Sequence, residues 1–364
     1  MPPKVAIIYL SYHSDPHLED AVTAWRSLTY PHAQIEIVIV DNPHPEFGSS
    51  VRYIEEHVMP LSGREMPHIT LLPQEKNTGF AGGNNVGILW SLAHDFDYIY
   101  LHNDDGFMVS GALEPIVGAM EHDATIGAAQ SLLLLYPDTD RVNSAGNKFH
   151  YLGFGFCDGY RKKVTDLAVP AVSDVSYMSG AALLLRADLL RQYGPLDEDF
   201  FMYHEDLEYA FRIRMAGFRT VLVRDSQFYH KYQFGRSVQK FYWMERNRFG
   251  VLLMFFRLPT LILLAPMLIL LEIGLWFFAF RGGWWRKRLA VYEYWMETDH
   301  WKLWLKKRQR IQRTRRISDR MLLSTASPTI QFQEAALENP ILTYIGNPLM
   351  FVYYWVIVRG LVWW

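Results

Sequence analysis

Over the first two thirds of the chain, short apolar runs alternate with segments whose apolar residues recur at helical spacing. Val5-Ala6-Ile7-Ile8-Tyr9-Leu10 ends in the polar turn Ser11-Tyr12-His13-Ser14-Asp15, after which Leu18, Val22, Trp25 and Leu28 follow every three or four residues. The run reads as a buried strand and the spaced set as one face of a helix. Ile35-Glu36-Ile37-Val38-Ile39-Val40, closed by Asp41-Asn42-Pro43, repeats the strand pattern. A third cycle predicts a helix over 51–58, a strand over 69–72 and a helix through Leu92. This alternation predicts βαβ units, and so an α/β fold: a mostly parallel central sheet flanked by helices, with ligands outside the carboxyl ends of its strands. Ser11, Tyr12 and Asp41 share that predicted edge. Tyr98-Ile99-Tyr100-Leu101, the run 126–137 and the run 178–185 add strands. Between them, 143–159 is rich in glycine and aromatic residues and predicts a hairpin or loop near the site, whose rings either stack on sugar faces or pack the core.

The strand ends carry the candidate chemistry. Asn77-Thr78-Gly79-Phe80-Ala81-Gly82-Gly83-Asn84-Asn85 puts glycines at a strand-to-helix junction, where bare backbone N–H groups can approach an anion. Its spacing is neither a Walker loop nor a Rossmann fingerprint, and a turn followed by helix packing explains the glycines as well. The fourth strand ends in His102-Asn103-Asp104-Asp105-Gly106. Adjacent carboxylates repel unless a cation offsets them, and hard oxygen ligands suit Mg²⁺ or Mn²⁺ shared with substrate phosphates; Asp-Asp-Gly also makes an ordinary turn. Glu205 and Asp206 open a predicted helix through Leu207, Ala210, Phe211 and Arg214 that stops at Gly217. A carboxylate in that first turn either accepts a proton in catalysis or simply complements the helix dipole.

Taken in order, these motifs resemble the family 2 glycosyltransferases of GT-A fold, in particular the rhamnosyltransferase-like branch. The residues carrying the resemblance are Val38 to Asn42, Asn77 to Asn85, Asn103-Asp104-Asp105, Ser179 to Arg186, Phe200 to Arg212 and His230, so that it covers Lys4 to about Arg248. It implies a GT-A catalytic domain over 1–248. It further implies a donor pocket for a nucleoside diphosphate sugar, dTDP- or UDP-linked, that includes Ser11, Tyr12, Asp41, Asn77, Gly79, Gly82 and Asp104. Asp41 is expected at the base, Asp104 near the ribose or donor sugar, and Asp105 at a divalent metal (Mg²⁺ or Mn²⁺). His230, in the stretch His230 to Ser237, is expected at the metal or phosphate, and Asp206 as the catalytic base beside Glu205. Two positions depart from the pattern: Asn103 stands where many relatives carry an acid, and Glu208 replaces an aspartate.

Composition sharpens the picture at the other end. The 364 residues, 50% hydrophobic and 20% charged, are enough for a full core in one large domain or two smaller ones. The net charge of −2 gives no general argument for nucleic acid, and the lone Cys157 excludes both an intramolecular disulfide framework and a cysteine-based zinc site. The opening apolar run is too short for a signal peptide, so the N-terminal domain is expected on the side where the chain is made. After Arg248 the chain turns strongly apolar, through 251–256 and 258–280, interrupted by Pro259, Pro266 and Glu272. Arg286, Lys287, Arg288, Lys306, Lys307, Arg308, Arg310, Arg313, Arg315 and Arg316 crowd the stretch 281–320, and Trp276, Trp284, Trp285, Trp295, Trp301, Trp304, Trp355, Trp363 and Trp364 all lie in this third. The pattern predicts a helical, membrane-associated region over 249–364 on the cytoplasmic face. It either lies in the interface with a break near Pro266 or is anchored by its apolar segments, 341–364 among them.

The implied activity is an inverting, metal-dependent transfer of a sugar, with rhamnose one candidate, from a nucleotide donor to a polyprenyl-linked or other saccharide in cell-surface glycan synthesis. The rival from another class is a membrane-anchored sugar-nucleotide-binding or assembly protein without turnover. A nucleotidyltransferase is disfavoured because its arginine and lysine phosphate signature is missing.

Overall fold

The alternating runs become strands whose order is set by where their polar ends must meet. The computed structural model describes residues 1–232, 241–331 and 340–364, so positions 233–237 of the His230 stretch lie outside the described residues. The chain divides into two compact units. The first comprises Met1–Asn147, Cys157–Ile213 and Phe218–Tyr232; the second comprises Lys148–Phe156, Arg214–Gly217 and Gln233–Trp364.

In the first unit, β1 (Val5–Ser11) is buried on both faces and lies at the centre of a parallel block, β3 (His68–Pro73), β2 (Ile35–Asp41), β1 and β4 (Tyr98–Asn103). A strand covered on both faces needs a continuous apolar run, which is what 5–10 and 37–40 supply. Beyond β4 the direction reverses: β11 (Ala182–Arg186) is antiparallel to both β4 and β6 (Ile126–Leu135), and β12 (Arg219–His230) is parallel to β6. Two reversals put β4, β6 and β12 in one sense, so their carboxyl ends and the amino end of β11 share one edge of the sheet. In register, Ser11 lies beside Asp41, the short β5 (Gly106–Met108) pairs Gly106 with His230, β7 (Val142–Ser144) pairs with β6, and β10 (Val172–Asp174) with β12. Helices α1 (Asp15–Arg26), α2 (Gly79–Ala93), α3 (Leu113–His122), α4 (Ala187–Tyr193) and α5 (Glu205–Met215) complete the α/β unit. The expected 143–159 hairpin falls largely in the second unit: β8 (Asn147–Phe149) pairs with β9 (Gly155–Cys157), and Phe149, Tyr151 and Phe156 are buried, which makes these rings core residues.

Of the two readings of the glycine segment in the first unit, a turn followed by helix packing is the one the structure takes: apart from the Asn77-Thr78 turn it is the start of α2. A Cβ at Gly82 would lie 2.8 Å from Thr78, one at Gly83 2.4 Å from Leu10 and one at Gly87 2.8 Å from Ile8. Gly83 and Gly87 therefore let α2 approach β1 closely, and the gain in packing outweighs their poor helix propensity.

The second unit contains α6 (Phe241–Phe255), α7 (Leu258–Arg281), α8 (Trp285–Met296), α9 (Thr298–Thr314), α10 (Asp319–Leu323) and a helical stretch over 340–361. Position 248, where the composition turns apolar, falls inside α6. Its polar residues Glu245, Arg246, Asn247 and Arg248 are as buried as the apolar ones after them, because Arg248 is bonded to Glu245 (2.9 Å), Glu272 (2.6 Å) and the carbonyl of Leu152 (3.1 Å). The break expected near Pro266 does not occur. α7 runs straight through it, with Pro259 in the first turn, where no N–H is needed, and only Pro266 removing a hydrogen bond. Nor is the basic cluster wholly a surface. Arg288 is buried against Glu245 and Glu272, Arg308 donates to the carbonyls of Leu253 and Phe256, and Arg315 pairs with Asp319. Trp304, expected as an interfacial anchor, is fully buried against Gly250.

Candidate active site

Asp104 and Asp105 follow β4 and meet residues at the ends of two other strands, β1 and β12. The main-chain N–H of Tyr12, just past β1, donates to Asp104 Oδ2 at 3.0 Å. Asp105 Oδ1 lies 2.9 Å from His230 Nε2 at the end of β12 and also accepts from Asn103 Nδ2. The other ring nitrogen of His230, Nδ1, is 2.9 Å from Asn143 Oδ1, which fixes the ring's orientation. Burial alone would raise the Asp105 carboxyl, but the charge and hydrogen bonds of His230 and the bond from Asn103 hold it below the usual range. Asp104 is pushed up to about 8, by burial first and then by the charge of Asp105. The pair carries more negative charge than its surroundings tolerate, so one carboxyl holds a proton near neutral pH.

Among the described residues no group of three or more His, Cys, Asp or Glu gathers as a metal site. Asp105 and His230 nonetheless fit a divalent ion that takes its remaining ligands from diphosphate and water: they supply one hard oxygen and one imidazole, and the imidazole is oriented from behind by Asn143.

The donor-pocket candidates surround the ends of β1 and β2. Asp41 is buried; its Oδ1 accepts from Ser11 Oγ (3.2 Å) and Ser50 N (3.0 Å), and its Oδ2 from Ser49 Oγ (2.6 Å). An ionised carboxylate has about four acceptor directions, so one remains for an incoming donor. Asn42 holds the next turn: its Oδ1 accepts from Thr78 N (2.9 Å) and its Nδ2 donates to Asn77 Oδ1 and to Gly79 O (both 3.1 Å). Asn77 Oδ1 accepts Gly79 N at 2.8 Å. Gly79 has φ +75°, and a Cβ there would stand 2.4 Å from the carbonyl of Phe201. That carbonyl accepts Ala81 N at 3.1 Å, so much of the helix start proposed for an anion is already capped from within. Gly82 is buried in α2 and offers no open N–H to a ligand.

At the start of α5 the two acids separate. Glu205 is 5% exposed, its Oε2 has no hydrogen-bond partner among the described residues, and its carboxyl is raised well above the usual range by burial and by the charge of Asp206. Asp206 keeps partial exposure; its Oδ2 accepts Gly180 N (3.2 Å) and its Oδ1 Leu207 N (2.7 Å). Burial raises it to about 6, with these amides opposing. Of the expected catalytic pair, Asp206 is the more exposed, while burial and the neighbouring charge favour the protonated form of Glu205. Asp206 reaches the Asp104–Asp105 end through a short chain: Gly180 N donates to it, and the carbonyl of the next residue, Ala181, accepts Asn103 N at 3.0 Å. Tyr203 lies within the field of both ends, its hydroxyl raised by burial and then by Glu205 and Asp105. Phe201, Tyr203 and His204 all have positive φ (60°, 64° and 68°), a strained entry to α5 of the kind that collects at functional sites.

A family model described as glycosyltransferase-like family 2 matches residues 2–249. This chain belongs to that family. It is a glycosyltransferase, as the motifs implied. The N-acetylglucosaminyl-diphospho-decaprenol L-rhamnosyltransferase of Mycobacterium tuberculosis is similar to it, 23% identical over 244 residues that cover 62% of this chain and 75% of the relative. Among solved structures, GalNAc-T7 with UDP, GalNAc and Mn2+ matches with a TM-score of 0.50 at 12% identity, over 64% of this chain and 44% of that one. That likeness shows the GT-A fold of the glycosyltransferase.

Several partners had no local signature in the sequence. Asn143 is 87 residues from His230, and Ser49, Ser50 and Gly180 are unremarkable until the strand ends bring them to Asp41 and Asp206. Arg212 could pair with a phosphate or with a neighbour; it takes Glu208, both side chains being buried, and also donates to the carbonyls of Tyr193, Gly194 and Pro195. Glu208→Ala is expected to lower unfolding stability by about 3–5 kcal/mol, since it strands a buried guanidinium. Urea unfolding checks this, and a loss below about 1 kcal/mol would mean that Arg212 has found other compensation.

Proposed function

We propose that the glycosyltransferase is an inverting, metal-dependent enzyme that transfers a sugar, with rhamnose the first candidate, from a dTDP- or UDP-linked donor to a polyprenyl-linked saccharide in cell-surface glycan synthesis. It works at the cytoplasmic face of the membrane, with the α/β unit carrying the chemistry and the helical unit the membrane contact. The observation that carries this reading is Asp206, a partly exposed carboxylate raised to about 6 beside the buried Glu205, whose carboxyl is raised well above the usual range. Such a group is ionised near neutral pH yet basic enough to remove a proton from an attacking hydroxyl. Asp206 takes the acceptor's proton as its oxygen attacks the anomeric carbon, opposite the departing diphosphate, and this single displacement inverts the configuration. Asp105 and His230 would hold a divalent ion, which would supply positive charge to offset that on the leaving diphosphate. Asp41, Ser11, Asn77 and Gly79 frame the base and ribose, Tyr12 and Asp104 the donor side, and Gly82 leaves room for Thr78 at the start of α2. The donor, acceptor and ion follow the chemistry named for the mycobacterial relative and for GalNAc-T7. Membrane contact is supported by α7, which is long and apolar enough to cross a bilayer and 11% buried over its most apolar window.

The test is a panel of nucleotide sugars screened by thermal unfolding. A bound donor at 100 times its Kd raises stability by about 2.7 kcal/mol. A dTDP- or UDP-sugar is expected to raise Tm with Mn²⁺ or Mg²⁺ and not with EDTA. A donor that stabilises but is never hydrolysed or transferred would favour the rival reading of a binding protein without turnover. A product that keeps the donor's anomeric configuration, read by NMR, would rule out inversion.

A further inference from the structure

Along one side of α7, Leu258, Ile262, Ile269, Ile273, Phe277 and Phe280 are each 53–63% exposed. At 3.6 residues per turn their spacing makes one apolar stripe from the first turn to the last, and the exposed charge on this helix is Arg281, at its end. A helix in water turns its polar face outward, and α7 does the reverse.

The side away from the stripe is buried through Thr260, Leu264, Met267 and Ala279, and charge lies along the flank between the two. Glu272 on that flank is bonded to Arg248 of α6 and to Arg288 and Tyr292 of α8. α8 folds back along this flank, with Trp276 stacked on Tyr292 (5.5 Å between centroids), and Phe280, at the end of the stripe, meets Trp285 (6.2 Å). Arg286, Lys287 and Glu293 of α8 are exposed. At the other end, Arg257 N and Thr260 Oγ1 both donate to Asp319, and Trp364 Nε1 donates to Thr260 Oγ1.

We infer that α7 lies in the plane of the membrane, its stripe in lipid and its charged flank toward water, and does not cross the bilayer. A crossing helix takes its packed neighbours into hydrocarbon, and α8 would bring Arg286, Lys287 and Glu293 with it. In the plane, only the stripe enters, while Arg281, Arg286 and Lys287 stay at headgroup level, where anionic lipids attract them. The 340–361 stretch, bonded to α7 through Tyr353 and the carbonyl of Leu263, exposes Ile345, Val352 and Val356 and joins the same contact.

This inference rests on the membrane association proposed above, and the experiment separates the two. In a Cys157→Ser background of the full chain, Arg257→Cys and Lys287→Cys place single thiols at the two ends of α7. Sealed inside-out and right-side-out vesicles are then treated with a membrane-impermeant maleimide. Both thiols are expected to react from the same side; reaction from opposite sides overturns the in-plane placement and leaves membrane association standing. Ile269→Asp combined with Ile273→Asp is expected to lower partition onto phosphatidylglycerol-containing vesicles about tenfold or more, with unchanged circular dichroism. Unchanged partition of that folded variant overturns the stripe as the contact. Wild-type protein that stays soluble and does not float with the vesicles overturns membrane association itself.

Discussion

Asp206→Asn is expected to lower the transfer rate by a factor of about 10²–10⁴, the usual contribution of a positioned general base, while donor affinity stays within about twofold. The substitution is nearly isosteric, and an amide oxygen can still accept Gly180 N or Leu207 N, so the start of α5 keeps its place. What it loses is the basic oxygen. The same group predicts the pH profile of the unmodified enzyme. Asp206 acts in its ionised form, so activity falls as pH drops through about 6 and levels off above it. The variant lacks that acid limb in its residual rate. Transfer within a few-fold of the unmodified enzyme, or an acid limb that survives the substitution, would assign the proton to another group.

Asp105→Ala is expected to weaken metal-dependent donor binding on the order of 100-fold and to leave the remaining affinity insensitive to EDTA. Asp105 is the carboxylate of the Asp104–Asp105 pair that is held below the usual range and faces His230 Nε2, so it is the one ready to meet a cation. Its neighbour, pushed up to about 8, cannot replace it near neutral pH without losing a proton. Titration calorimetry with Mn²⁺ and a nucleotide sugar reads the change directly, and thermal unfolding of the variant separates a lost ligand from a lost fold. Unchanged affinity with metal present would remove Asp105 from the metal site.

The strands and the edge they build were legible because backbone hydrogen bonding and burial act locally. β1 and β2 need continuous apolar runs since both their faces are covered, and Ser11, Asp41 and Asp105 stand where those runs stop. The start of α5 was legible for the same reason, from helical spacing, first-turn acids and a terminal Gly217 with φ +97°. The glycines after Asn77 left two readings open because a poor helix former also suits a loop; packing decides, since Gly83 and Gly87 are small to let Leu10 and Ile8 in.

Spacing and order along the chain were sufficient, then, for the α/β class, the sheet edge, the family resemblance and the candidate acids. Which acid is the more buried, which side of α7 is exposed, and which of Arg288, Arg308 and Trp304 belong to the core were decided by tertiary structure alone. The division has one physical cause. Strand and helix patterns are fixed by neighbours a few residues away. Ionisation and exposure depend on desolvation and partners that the fold delivers from far along the chain, as Asn143 to His230 and Gly180 to Asp206.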